Sequence, residues 1–226
     1  GSDFVGFDAA GPVAQCSLAS YYSIVAQTAG GLRGLLPHGR TIVAGAPAAS
    51  YAVHFGPAFR SIARGNFVHP PTVLFRRELL QTVGEFDAAF VNGCDYDWLL
   101  RAARAGAFAV IGAPLLRYRL SPGQMSGSRN QHVVLLDVLR SIESIRRTDP
   151  AVYRSDRRHF RARQRSCLLG AASSLADVDR GRAWAALARS LGFGPPGLDS
   201  VRIAAKISAP RAVAEWLRAR RSREAE

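Results

Sequence analysis

The pattern of apolar residues changes near residue 125, and no other feature limits the fold as much. Before that point apolar runs are short and broken by glycine and proline, at Gly30-Gly31, Pro37, Gly45–Pro47, Gly84, Gly106 and Gly112–Pro114. Such punctuation suits alternating strands and helices. Beyond it, apolar residues recur at helical intervals, as in Val133, Leu136 and Leu139, one to each turn. The chain therefore reads as an α/β domain over residues 1–125 followed by an all-α extension over residues 126–226. Its 226 residues, 48% of them hydrophobic, are enough to bury a core.

Within the front part, Asp3–Asp8 alternates apolar and polar residues and is expected to form a strand. Residues 9–65 are rich in Ala, Gly and Pro, and their apolar clusters at Tyr21–Val25 and Tyr51–Ile62 fit short helices. Val68 and Val73–Phe75 flank His69-Pro70-Pro71, which predicts a loop leading into a buried strand. A helix over Arg76–Val83 ends at Gly84. Asp95 is placed to cap a helix over Tyr96–Ala105 that stops at Gly106. Two short strands, Phe108–Ile111 and Leu115–Tyr118, are expected on either side of Gly112-Ala113-Pro114, and Ser121–Asn130 has loop composition. In the extension, Asp149-Pro150 supplies an N-cap and first position for a helix over Ala151–Leu175. A turn at Asp177–Arg182, a helix over Ala183–Leu191, a Gly/Pro loop at Gly192–Gly197, and helices over Val201–Ile207 and Pro210–Arg221 complete the pattern.

Charge divides the same way. Ten basic and 7 acidic side chains lie in residues 1–125, against 20 and 10 in residues 126–226, and Lys206 is the only lysine. The positive charge is therefore almost all guanidinium, which favours bidentate contact with carboxylate or phosphate, although a GC-rich genome gives the same bias. Cys16, Cys94 and Cys167 lie far apart, with no CxxC and no histidine at metal-ligand spacing, which suits a reducing compartment. No apolar run reaches the roughly 18 residues that a membrane helix needs, and no signal peptide is expected. Phosphate-binding glycine motifs, zinc-protease motifs and the GxSxG nucleophile turn are absent from the sequence. The five histidines are scattered, and each reads as a loop or surface residue rather than a ligand.

The chemistry-bearing stretch is Asn66–Ser126. Four features follow one another: an apolar segment ending in Phe75-Arg76-Arg77, then Val83-Gly84-Glu85-Phe86-Asp87, then Cys94-Asp95-Tyr96-Asp97-Trp98-Leu99-Leu100-Arg101, then Tyr118-Arg119 with Ser126 beyond. On spacing alone Asp95 reads as an N-cap and Asp97 as an ordinary first-turn acid. Taken together and in order, the four features resemble the C-terminal half of the catalytic domain of family-2 glycosyltransferases, inverting enzymes that use nucleotide sugars on a GT-A fold. Residues 3–65 match that family only loosely. Cys94 stands where the family most often has an acid, Trp98 comes one residue early, and Leu120-Ser121-Pro122 stands where many relatives place a histidine that helps hold the metal.

The resemblance implies a partial GT-A domain in residues 1–125, with Asp95 as the general base that deprotonates an acceptor hydroxyl, and with Arg76, Asp87, Asp97 and Trp98 near the acceptor. Phe86 and Trp98 read equally as core residues, and Asp95 and Asp97, about 200° apart on a helix, face different ways. The family's nucleotide-binding strands and its metal-binding DxD have no counterpart here, so the chain is expected to be a fragment that does not turn over alone. A divalent cation, Mg²⁺ or Mn²⁺, is expected for the whole enzyme, with its ligands outside this chain and none within it. The implied partners are a nucleotide-sugar donor and a saccharide or lipid-linked acceptor of bacterial surface-polysaccharide synthesis, in the cytoplasm or at the inner face of the plasma membrane. The Arg-rich extension suits contact with an anionic membrane as well as it suits a solvated face. Nucleic acid is disfavoured, because only Tyr153 and Phe160 lie among the arginines. The reading from another class is a non-catalytic basic helical module that binds anionic lipid or nucleic acid.

Overall fold

A computed structural model describes residues 1–13, 16–45, 47–121 and 131–210. By its contacts the chain divides into two units, Gly1–Met125 and Ser126–Glu226.

The first unit is a mixed α/β structure. Its sheet starts with β1 (Ser2–Asp8), where Ser2, Phe4 and Gly6 turn inward in alternation, as the sequence pattern predicts. A short β2 (Gly11–Val13) returns antiparallel to it, and the chain passes Cys16 so closely that Gly6 N–H donates to the Cys16 carbonyl. Three short helices follow, α1 (Leu18–Tyr21), α2 (Ser23–Gln27) and α3 (Leu32–Leu35). Asp3 Oδ1 anchors the first of them by accepting Leu18 N–H at 2.7 Å.

The sequence reading fails next. Within Tyr51–Ile62, residues 51–57 are not helical but lie in the second strand of a hairpin, β3 (His38–Ala44) against β4 (Ala49–Pro57), and only the end of the run is helical, as the start of α4 (Phe59–Arg64). The β-branched run Thr41-Ile42-Val43 and the alternation of Tyr51, Val53 and Phe55 carried that signal. The break read at Gly45–Pro47 is the turn, entered through Gly45 at φ +95°. Nor is Val73–Phe75 a buried strand. Pro70–Thr72 is a 3₁₀ turn and the residues after it are irregular, with Leu74 93% exposed. Two consecutive prolines remove two ladder donors, and among the described residues no strand pairs with this segment.

Helix α5 (Glu78–Val83) ends at Gly84, whose φ of +75° suits glycine. Helix α6 (Cys94–Ala105) is capped by Gly93, so Asp95 is not the N-cap but the second residue of the first turn. Strand β5 (Ala107–Arg119) is a single element rather than two. Its first half pairs antiparallel with β4 and its second half parallel with β1, giving the sheet order β2-β1-β5-β4-β3. The register against β1 slips where Gly112, Ala113 and Leu115 have no partner. Pro114 is tolerated there because β4 pairing already ends at Ile111 and a bulged ladder does not need its donor. Phe4, Ile62, Phe67, Trp98 and Leu99 form the centre of the core.

In the second unit the described residues are helical: α7 (Gln131–Thr148), α8 (Pro150–Ser155), α9 (Arg157–Leu175), α10 (Arg180–Leu191) and α11 (Leu198–Ser208). Asp149 caps α8 by accepting Val152 N–H at 3.1 Å. The helix read over Ala151–Leu175 is interrupted at Asp156, which separates α8 from α9. Helix α9 is central and packs against α7, α10 and α11 through Cys167, Leu168, Ala171, Ala172 and Leu175. The expected loop beyond Ser121, with Ser126, and the expected helix over Pro210–Arg221 fall almost wholly outside the described residues. Among the described residues no helix is long and apolar enough to cross a membrane.

A methyl group on Gly6 would lie 2.3 Å from Cys16 Cβ and 2.4 Å from its Sγ. Gly6→Ala is therefore expected to lower stability by about 1–3 kcal/mol through overpacking, read as a lower urea midpoint at unchanged m-value. An unchanged midpoint would mean that the β1–Cys16 crossing is looser than described.

Candidate active site around Asp95

The first turn of α6 places Asp95 where its charge reaches Tyr22, one member of a cluster of aromatic rings. Its carboxylate accepts the Tyr96 N–H at 2.6 Å. Burial raises its pKa above the ordinary aspartate value, and the amides of Tyr96 and of Asp95 itself oppose that shift. The group is a half-buried carboxylate on a helix N-terminus, where the backbone dipole favours its charge while desolvation opposes it.

His69 organises the cluster. The residue before a proline is held extended, and His69 is so, at φ −85° and ψ 114°. The ring is turned inward and is 3% exposed. Phe4 stacks on it with centroids 4.0 Å apart, and Tyr118 meets it edge-on at 4.6 Å. Tyr21 and Tyr22, at the junction of α1 and α2, approach it edge-on at 5.5 and 6.1 Å. The Tyr22 hydroxyl and His69 Nδ1 are hydrogen-bonded at 3.2 Å, whereas buried Nε2 has no partner among the described residues. Burial pushes the Tyr22 phenol up, assisted by Tyr21, by the Asp95 carboxylate and by Tyr118. Asp95 is thus close enough for its charge to be felt at Tyr22. Burial also holds the His69 imidazole down at about 4, so the ring is neutral at ordinary pH.

The residues singled out from sequence fall into three places. Asp95 reaches the aromatic centre through its charge. Asp97 turns away from it, as helical spacing requires, and pairs with Arg101 at 3.0 Å. Arg101 donates in turn to the carbonyls of Val83 and Glu85, and the Trp98 indole N–H donates to the Gly84 carbonyl at 3.0 Å. These three side chains hold the loop after α5 against α6. Trp98 is 2% exposed and lies between Phe75 and Phe86. Asp87 closes a local turn by accepting Ala89 N–H at 2.8 Å. Arg76 is exposed, and with one edge of Trp98 it lines a separate apolar cavity of about 900 Å³ between the sheet and residues 71–79. Asp87, Asp95 and Asp97 are not on that cavity's wall.

His69, Tyr21 and Tyr22 were not singled out from the sequence, whereas Tyr118 stood there as part of a motif. The sequence reading placed His69 correctly in a loop but took the loop as superficial. The available signal was the adjacent pair Tyr21-Tyr22, which a helical stripe alone does not explain. For a divalent cation the described residues do not fit: no three His, Cys, Asp or Glu side chains converge. In comparisons with known proteins, no family model, curated protein or solved structure matches the chain.

His69 binds its proton less readily when folded than when unfolded. Its contribution to stability is therefore complete above the unfolded value near 6.5 and is lost as pH falls through about 4. Across that window the fold should lose roughly 3 kcal/mol. Denaturant midpoints measured against pH should decline from pH 6.5 downward, and His69→Gln should flatten the upper half of that decline. An equally steep profile in the variant would assign the acid sensitivity to other groups.

Proposed function

We propose that the first unit is the acceptor side of an inverting, nucleotide-sugar-dependent glycosyltransferase of the family-2, GT-A type, and that Asp95 is its base. The acceptor is a saccharide or lipid-linked saccharide of surface-polysaccharide synthesis, handled at the cytoplasmic face of the membrane. In the step assigned to Asp95, the carboxylate takes the proton of an acceptor hydroxyl while that oxygen bonds to the anomeric carbon. The bond from that carbon to the nucleotide diphosphate breaks on the opposite face.

One observation carries the reading. Of Arg76, Asp87, Asp95, Asp97 and Trp98, Asp95 is the one whose charge is felt at Tyr22 of the aromatic centre, and burial makes it a stronger base than an exposed aspartate. Aromatic faces beside a carboxylate suit a sugar ring, whose C–H faces pack on them while its hydroxyls reach the charge. Asp97, Trp98 and Arg101 support this arrangement by fixing α6 and are assigned no contact with substrate. Arg76 and Asp87 remain outer candidates for acceptor contact. The divalent cation that the proposed class uses at the leaving diphosphate would have to be held by residues other than those described, and no step is assigned to it.

The test is Asp95→Asn in the chain together with its natural upstream sequence, assayed with UDP-, GDP- and dTDP-sugars. Transfer should fall by about 10²–10⁴-fold, the usual worth of a general base. The fold should survive, because an amide oxygen can still accept the Tyr96 N–H. A raised carboxylate pKa destabilises the fold above that pKa and not below the unfolded value of 3.8. The variant should therefore melt no lower than the parent at neutral pH, with any gain fading as pH falls toward 3.8. Transfer within tenfold of the parent would remove Asp95 from the role of base.

A further inference from the structure

Helix α9 of the second unit carries Arg158, Arg161 and Arg165 at i, i+3 and i+7, and so on one face. With Arg202 of α11 across from them, these side chains line a cavity of about 1050 Å³, which Phe193 and Leu169 make partly apolar.

Their charge is poorly compensated. Arg161 donates to the Gly192 carbonyl at 2.8 Å and lies over the Phe193 ring at 5.7 Å. Arg165 donates to the Pro195 carbonyl at 2.8 Å and to Ser200 Oγ at 3.2 Å, while its buried Nε has no acceptor among the described residues. These acceptors are neutral: they orient guanidinium groups without cancelling their charge. Among the described residues, the one carboxylate on the wall is Asp199, 3.7 Å from Arg202 in a pair that is largely exposed. Four guanidinium groups thus face one carboxylate. Elsewhere in the same unit, by contrast, Arg189 is matched by Glu143 and Lys206 by Asp177. A concave site with fixed planar donors and a net positive wall suits a multiply charged oxyanion, since guanidinium forks match the oxygens of phosphate.

We propose that this cavity is a binding site for a phosphate or diphosphate group carried on an apolar or aromatic moiety, the anion resting on Arg158, Arg161, Arg165 and Arg202 and the moiety on Phe193. The site is independent of the role proposed for Asp95. Two sources present this chemistry, a soluble phosphate ester and a phosphorylated lipid headgroup.

The test is calorimetric titration of the full chain with sodium pyrophosphate, alongside co-sedimentation with phosphatidylcholine vesicles with and without phosphatidic acid. The variant is the double substitution Arg158→Gln with Arg202→Gln. Both side chains are exposed and neither holds the loop at residues 192–197, so the melting temperature without ligand should not change. An off-cavity pair, Arg157→Gln with Arg182→Gln, serves as control. The expected result is saturable binding that weakens on the order of tenfold or more in the cavity variant and stays within about twofold in the control. Binding of pyrophosphate in solution assigns the site to a soluble ester, and binding of phosphatidic acid vesicles alone assigns it to a headgroup. Failure of both probes to bind the parent chain, or equal weakening in the two variants, would overturn the proposal, the latter by showing diffuse attraction to a basic surface.

Discussion

Strand β5 is long because it serves two half-sheets in turn. Its residues Ala107–Ile111 complete the β3-β4 hairpin and its residues Pro114–Arg119 complete the β2-β1 pair, so the five-stranded sheet exists only through this strand. The change of partner requires the ladder to loosen at Gly112–Leu115, where a Pro would otherwise break a strand. The same strand carries Tyr118 to the edge of the His69 ring, while β1 brings Phe4 to stack on its face. A register slip of one residue in β5 would turn Tyr118 to the opposite face and take down one wall of the centre. The position of the candidate site is therefore a consequence of the pairing in the sheet.

That centre places groups that prefer water in a dry setting. His69 is kept neutral, Tyr22 is kept protonated, and burial raises the Asp95 carboxyl while two backbone amides oppose that shift. Each arrangement opposes the maximum stability of the fold, and a stability optimum would fill the space with apolar side chains. Asp95 accepts a first-turn amide, which Gly93 at the N-cap position has no side chain to do. Asp97, by contrast, is fully accounted for by Arg101 and the loop it steadies. The two acids are two residues apart in sequence, and the physical accounts of them differ.

Elements with a strong local signal were legible in the sequence. β1 follows from strict alternation, α5 from a stop at Gly84, and α8 from the Asp149-Pro150 start. The β3-β4 hairpin was not legible, because short apolar runs do not distinguish strand from helix and its turn residues read equally as a break. β5 was read as two strands because Pro114 argues against a strand wherever the partner's demand for a donor is unknown, and that demand is set by β1 and β4, far away in sequence. The candidate site divides in the same way. Asp95 could be singled out from a local motif. The burial of His69 depends on Phe4, Tyr21, Tyr22 and Tyr118, which are drawn from separate elements and brought together only by the sheet.

The second unit shows why a charge count differs from a charge distribution. Its excess of arginine could have been neutralised locally, as Arg189 and Lys206 are, or spread over solvated helix faces, as helical charge runs usually are. Neither holds along the cavity face of α9. There, arginines that also fix the loop at residues 192–197 take backbone carbonyls as partners. A carbonyl satisfies a donor but leaves its charge in place, so rigid positioning and a net positive wall arise from the same contacts. Exposed arginines on a flexible face would attract anions diffusely and weakly under physiological salt. Guanidinium groups already held by neutral acceptors lose less freedom when an anion binds, which concentrates on one surface the selectivity that total charge does not provide.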